Sequence, residues 1–106
     1  MQILVNTDNT IDGPEAVRQA VAQLAEQRLR AVSGHVTRLE IHLKDENADK
    51  GGADDKRCVA EARVEGRAPI AASHNAGTVE QAAAGALDKL RAALDSDPGK
   101  RGRHRG

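Results

Sequence analysis

The sequence predicts an α+β domain with the order β-α-β-β-β-α, a four-stranded mixed sheet carrying two helices on one face. Three observations predict it. Apolar and charged residues alternate through three short segments between Val36 and Asn75. On either side, a longer segment repeats its apolar residues at three- and four-residue spacing, as a helix with one buried stripe does. Turn-forming residues punctuate the joints, at Asp8 to Gly13, Ser33-Gly34, Gly51-Gly52 and Ala76-Gly77.

In chain order, Gln2 to Asp8 reads as a first strand with Ile3 and Val5 inward and Leu4 tolerated on the far side. Gly13-Pro14 then opens a helix, because a proline in the first turn lacks only a donor that has no partner there. The helix is expected from Pro14 to Val32, its stripe formed by Val17, Ala20, Val21, Leu24, Ala25, Leu29 and Val32. Gly34, which can take the left-handed conformation, is expected to close it.

The central strands follow. Leu39, Ile41 and Leu43 share one parity, opposed by Arg38, Glu40, His42 and Lys44. Cys58, Ala60, Ala62 and Val64 repeat the pattern against Arg57, Glu61, Arg63 and Glu65, and Ile70 and Ala72 stand against Ser73 and Asn75. The sheet therefore has one dry and one charged face. Thr78 is an N-cap candidate with Gln81 at capping-box spacing. The second helix buries Val79, Ala83, Ala86, Leu87, Leu90 and Leu94 and ends at Pro98-Gly99. Both apolar stripes fit on the dry face. A right-handed crossover through the first helix makes the first two strands parallel if they are neighbours, and residues 36 to 75 then form an antiparallel meander.

With 106 residues there is room for one domain, placed at 1–97, and a basic tail at 98–106. There is no Phe, Tyr or Trp, and much of the apolar fraction is alanine, which points to a light core and a fold near the low end of stability. The lone cysteine, Cys58, sits on the apolar parity and reads as a small buried hydrophobe. Neither an apolar run that could span a membrane nor a leader peptide is visible, so a cytoplasmic protein is expected. The formal net charge is zero but uneven. The tail holds four of the 16 basic residues, Lys100, Arg101, Arg103 and Arg105, leaving 12 against 16 acidic groups in the body. Such a tail suits a polyanion.

Candidate chemistry is thin. Asp45, Asn47 and Asp49 have the alternate spacing of a calcium loop, but the glycine comes late, at Gly51, and Lys56 stands where a bidentate Glu belongs. His35, His42, His74 and His104 lack zinc-ligand spacing. No nucleophile elbow, phosphate loop or dinucleotide fingerprint is present, and carboxylates scattered among arginines on an open sheet make no enclosed acid-base pocket. The expectation is a protein with no catalytic residues, metal, cofactor or small-molecule substrate.

Five stretches are more specific than their periodicity: M-Q-I-L-V-N at the start, E-A-V-R in the first helix, R-L-E-I-H-L with its D-E-N loop, D-D-K-R-C-V-A-E-A-R, and A-A-A-G-A-L-D-K-L in the last helix. In this order and spacing, up to about Asp95, the chain resembles the ribosome hibernation promoting factors, small ribosome-associated inhibitors also described as sigma-54 modulation proteins. The resemblance implies a fold similar to a double-stranded RNA-binding domain with an added first strand. It implies a non-enzymatic regulator that binds the small ribosomal subunit and its rRNA near the decoding centre and keeps ribosomes inactive under stress. The length fits the short type, without a dimerisation domain.

Folded rRNA is recognised largely by shape and phosphate position, which calls for rigidly spaced Lys and Arg. The basic positions matching the family are Arg18, Arg57 and Lys89. Exposure and proximity add Arg38, Lys44, Lys56, Arg63, Arg67 and Arg91, and the tail adds Lys100 and Arg101. Where family members carry lysines late in the first helix and a basic run after D-K-L, this chain reads A-Q-L-A-E-Q-R and R-A-A-L-D-S-D. The acidic body keeps a second reading open, a protein-binding adaptor that retains the fold and has lost most rRNA contacts. An open sheet also leaves edges with which a second copy could pair.

Overall fold

The computed structural model describes residues 1–46 and 55–95. Strand β1 (Gln2–Thr7) leads into helix α1 (Pro14–Leu29) and a 3-10 segment (Arg30–His35), followed by β2 (Val36–Asp45), β3 (Lys56–Val64), β4 (Ile70–Ala76) and helix α2 (Val79–Asp95). The sheet order is β1-β2-β3-β4, with β1 parallel to β2 and the other two pairs antiparallel. The predicted architecture is the one observed. Residues 98–106, with Lys100 and Arg101, and the loop positions Asn47, Asp49 and Gly51 lie outside the described residues.

Strand parity follows the alternation. Leu39, Ile41 and Leu43 pair with Ala62, Ala60 and Cys58 across β2 and β3, and all six are buried under the helices. Ile3 and Val5 extend this layer from β1, opposite Leu39 and Ile41, while Leu4 lies opposite Glu40 on the open face. Helix α1 packs on β1 and on α2, and α2 packs on β3 and β4. The joint between β1 and α1 is stitched to the end of β2. Thr10 donates its N–H (2.9 Å) and its hydroxyl to Asp8 Oδ1, and its Oγ1 accepts from the Asp45 N–H at 2.8 Å. Ile11 is buried beside this turn, and Gly13, with φ 58°, makes the left-handed step into Pro14.

The first helix departs from expectation at its end. It stops at Leu29, three residues short of Val32, and tightens into the 3-10 segment. The tighter winding turns the chain toward β2 while keeping both Val32 and Val36 buried. Gly34 does not take a left-handed conformation; among the described glycines only Gly13 and Gly66 have positive φ. Ala20, expected on the stripe, is exposed, and the buried line is Val21, Ala25 and Leu29. A bulge between Val36 and Arg38 takes up the change of direction, with Thr37 Oγ1 donating to the Arg63 carbonyl at 3.1 Å.

The second helix matches expectation at its start and along its stripe from Ala83 to Leu94, while Val79 is half-buried and the expected stop at Pro98-Gly99 lies outside the described residues. The Gln81 N–H donates to Thr78 Oγ1 at 3.1 Å, which makes Thr78 the cap, and Ala83, Ala86, Leu87, Leu90 and Leu94 are buried. The lack of aromatic residues is met by small side chains on both sides of the interface. Ala82, Ala83 and Ala86 of α2 and Cys58, Ala60 and Ala62 of β3 are all fully buried. Gly85 marks a close approach, for a Cβ added there would stand 2.1 Å from Cδ2 and 2.4 Å from Cγ of His74. The histidine ring occupies the space a side chain would need. A salt bridge of 2.6 Å from Arg28 to Asp88 joins the two helices at their surface.

Gly85→Ala should lower the stability measured by urea denaturation by about 1–3 kcal/mol through overpacking. In a His74→Ala background the same change should instead raise it, by up to about 1 kcal/mol, because alanine is the better helix former. Burial pushes the Cys58 thiol up to about 12, so it should resist an aromatic disulfide reagent in the native protein and react fully once unfolded.

Candidate nucleic-acid interface

The face of the sheet away from the helices is open, and the register orders its side chains in rungs. Arg38 lies opposite Arg63, Glu40 opposite Glu61, His42 opposite Val59, and Lys44 opposite Arg57. Gln2, Leu4 and Asn6 of β1 continue three of these rungs on one side, and Ala71, Ser73 and Asn75 of β4 continue three on the other.

Charge on this face divides into two zones. At one end, Arg38 reaches Glu40 at 2.9 Å and Arg63 approaches Glu61 at 3.9 Å. Each pair is two residues apart on one strand, the spacing that puts side chains on the same face. His42 Nε2 also stands 3.9 Å from Glu40. This end neutralises itself, and the Arg38 Nε is buried there without a partner among the described residues.

At the other end, Lys44 and Arg57 are direct cross-strand neighbours, and among the described residues neither makes an ion pair. Arg57 Nη1 donates to Asn75 Oδ1 at 2.9 Å, and Asn75 Nδ2 donates to Glu46 Oε1 at 2.9 Å. The guanidinium is thus oriented by a neutral amide that a carboxylate in turn holds. Like charges set directly opposite each other are normally unfavourable in a sheet. Beside them lies a depression of about 230 Å³, bordered by Asn6, Asp8, His42, Lys44, Arg57 and Val59. It forms where β1 leaves the sheet at Thr7 while β2 continues to Asp45. Hydrogen bonds from Thr10, with a smaller contribution from the charge of Lys44, hold the Asp8 carboxyl below its usual range.

The other predicted basic residues are dispersed. Arg18 is on α1, bonded to Glu15 at 2.7 Å and to Thr7 Oγ1 at 3.3 Å. Lys89 is on α2, where its Nζ donates to the Ser73 carbonyl at 3.1 Å. Arg91 stands 4.0 Å from Asp95, one helical turn on, and Arg67 is exposed in the turn between β3 and β4. Lys56 faces the helix side instead of the open one. It shares the parity of Cys58 and Ala60, and its Nζ lies 3.0 Å from Asp55 and 3.3 Å from Asp45. Those carboxylates, Asp55 first, raise the Lys56 pKa, and Asp55 itself is buried, with its Oδ2 unpartnered among the described residues. The structure therefore brings together Lys44 and Arg57, near His42, and separates them from the rest.

Sequence reading missed Asn6, Asp8 and Val59 as neighbours of this site, and Asn75 as the group that orients Arg57. Val59 carries a signal, since its odd number puts an apolar residue among Arg57, Glu61 and Arg63 on the charged parity. The others depend on strand pairing. Among the described residues no cluster of His, Cys, Asp or Glu could hold a metal ion, and no helix is long and apolar enough to cross a membrane.

Comparison with known proteins agrees with this architecture. No curated protein sequence matches the chain. Among solved structures, a ribosomal subunit interface protein from Coxiella burnetii is similar, with a TM-score of 0.67 at 17% identity, over 91% of this chain and 96% of that one. The Protein Y N-terminal domain from Thermus thermophilus gives a TM-score of 0.64 at 12% identity, over 91% and 98%. At these identities the likeness concerns the fold. The family described as Sigma 54 modulation protein / S30EA ribosomal protein matches residues 7–101, from the end of β1 through both helices and all the remaining strands. With the sequence motifs, the strand order and this match in agreement, the chain belongs to the Sigma 54 modulation protein / S30EA ribosomal protein family.

Proposed function

We propose that this protein is a non-enzymatic translation regulator of the cytoplasm that binds the small ribosomal subunit near the decoding centre, through rRNA, and keeps ribosomes inactive under stress. The observation that carries the reading is the Lys44–Arg57 pair, two directly opposed cations without ion-pair partners among the described residues, on the open face of a chain with no net charge. Strand pairing fixes their spacing, and Asn75 fixes the Arg57 fork, so the charges are set before a phosphate arrives. Membership of a family named for a ribosomal protein, and likeness to a ribosomal subunit interface protein, support a ribosomal partner. Arg18, Lys89, Arg38, Arg63, Arg67 and Arg91 lie around the fold as secondary contacts, most of them able to exchange an intramolecular carboxylate or carbonyl for a phosphate. Lys56, held by two carboxylates on the helix side, contributes least.

Cosedimentation with purified small subunits at two or more salt concentrations tests this. The wild-type chain should bind with an affinity that falls steeply as salt rises. Replacing both Lys44 and Arg57 with Gln should reduce the log–log salt slope by about two, roughly one per phosphate contact, and weaken binding at least about tenfold. Arg38→Gln with Arg63→Gln should do much less. A salt-insensitive interaction, or capture by a protein partner alone, would favour the adaptor reading, to which the self-neutralised half of the face is suited. Removing residues 98–106, which takes away Lys100, Arg101, Arg103 and Arg105, should also lower both affinity and slope. An unchanged slope would assign the electrostatics to the body alone.

A further inference from the structure

We infer that the cationic end of the open face seats one unstacked nucleotide of single-stranded RNA, its base in the depression over Val59 and its phosphate on Lys44 and Arg57. The inference rests on the RNA-binding reading above and adds the ligand unit and its orientation.

Size is the first argument. A depression of about 230 Å³ lies below the roughly 300–1,000 Å³ of pockets that hold drug-sized ligands, so it suits a single ring system and not a folded oligonucleotide.

The lining is the second. Val59 puts an apolar side chain at the cationic end of the open face, and Lys44 and Arg57 on the next rung add methylene stems beneath their charged heads. A site for phosphate alone has no use for an apolar floor. The chain has no aromatic ring to stack on, but imidazole and guanidinium planes also stack on bases, and His42 and Arg57 border this depression. The Arg57 plane is held by Asn75, so little ordering remains to be done on binding.

Charge placement gives the orientation. Asp8 stays ionised at the β1 rim and repels phosphate there, while Asn6 beside it offers both a donor and an acceptor. The polar edge of a base therefore faces Asn6 and Asp8. The phosphate lies on the Arg57 side of Lys44, the side away from Asp8, where neither cation forms an ion pair among the described residues.

The test uses the full chain and two labelled single-stranded RNA hexamers with equal phosphate number, one with bases and one abasic, titrated by fluorescence polarisation at fixed salt. Free nucleoside monophosphates provide a third ligand. The expected result is binding of the base-bearing hexamer about tenfold or more tighter than the abasic one. Val59→Leu, which fills the floor without altering charge, should remove most of that difference and leave the abasic affinity unchanged. His42→Ala should reduce the difference in the same direction, and circular dichroism should show both variants folded. Equal affinity for the two hexamers overturns the inference, as does a difference that survives both variants, or failure of both hexamers to bind. A monophosphate that binds as tightly as the hexamer also overturns it, in favour of a free-nucleotide site. In each of these cases salt-dependent cosedimentation with the small subunit still stands or falls separately.

Discussion

The contact between Gly85 and the His74 ring sets how closely α2 lies on β4, and the rest of the molecule is arranged around that approach. A chain without aromatic residues cannot fill a wide gap between helix and sheet, so the gap has to be narrow. Alanines on α2 meet alanines and Cys58 on β3, while Leu39, Ile41, Leu87 and Leu90 supply the larger buried surface. Each of these larger side chains is worth about 1.5–3 kcal/mol in burial, and the small ones contribute chiefly by letting the layers close. A sheet clamped in this way on one face can hold a fixed pattern of side chains on the other.

That pattern explains how a chain of zero net charge can present a cationic site. Pairing along a strand, two residues apart, cancels Arg38 against Glu40 and brings Arg63 near Glu61. Pairing across strands puts Lys44 beside Arg57, an arrangement that costs a fraction of a kilocalorie to about one in a sheet and contributes nothing to the fold. Local breaches of the rules of stability are expected where a surface binds something. The depression beside the pair has a similar origin, since it exists because β1 ends before β2 does.

Much of this was legible in the sequence, and the unread parts share one character. The alternation in β2 and β3 showed which residues are dry. The three- and four-residue spacing showed the helical stripes, and Thr78 with Gln81 marked where α2 begins. Arg38 with Glu40, and Glu61 with Arg63, could be seen to share a face from number alone. Lys56 was counted among the exposed cations because of its charge, although its even number, shared with Cys58 and Ala60, puts it on the dry side. The end of α1 was misjudged because Val32 keeps the helical spacing while the backbone tightens to a 3-10 turn. Gly34 offered a left-handed option that the chain does not use.

Composition and periodicity by themselves determined the layers, the order of the elements and which side of each strand meets water, because those properties depend on neighbours within a few residues. Tertiary structure alone decided that Lys44 faces Arg57, that Asn75 holds the guanidinium, that Asn6 and Asp8 border a depression over Val59, and that Gly85 has to be bare. Each of these depends on the register between segments far apart in the chain. Register is set by the simultaneous fit of a whole sheet face under two helices, which no local pattern contains.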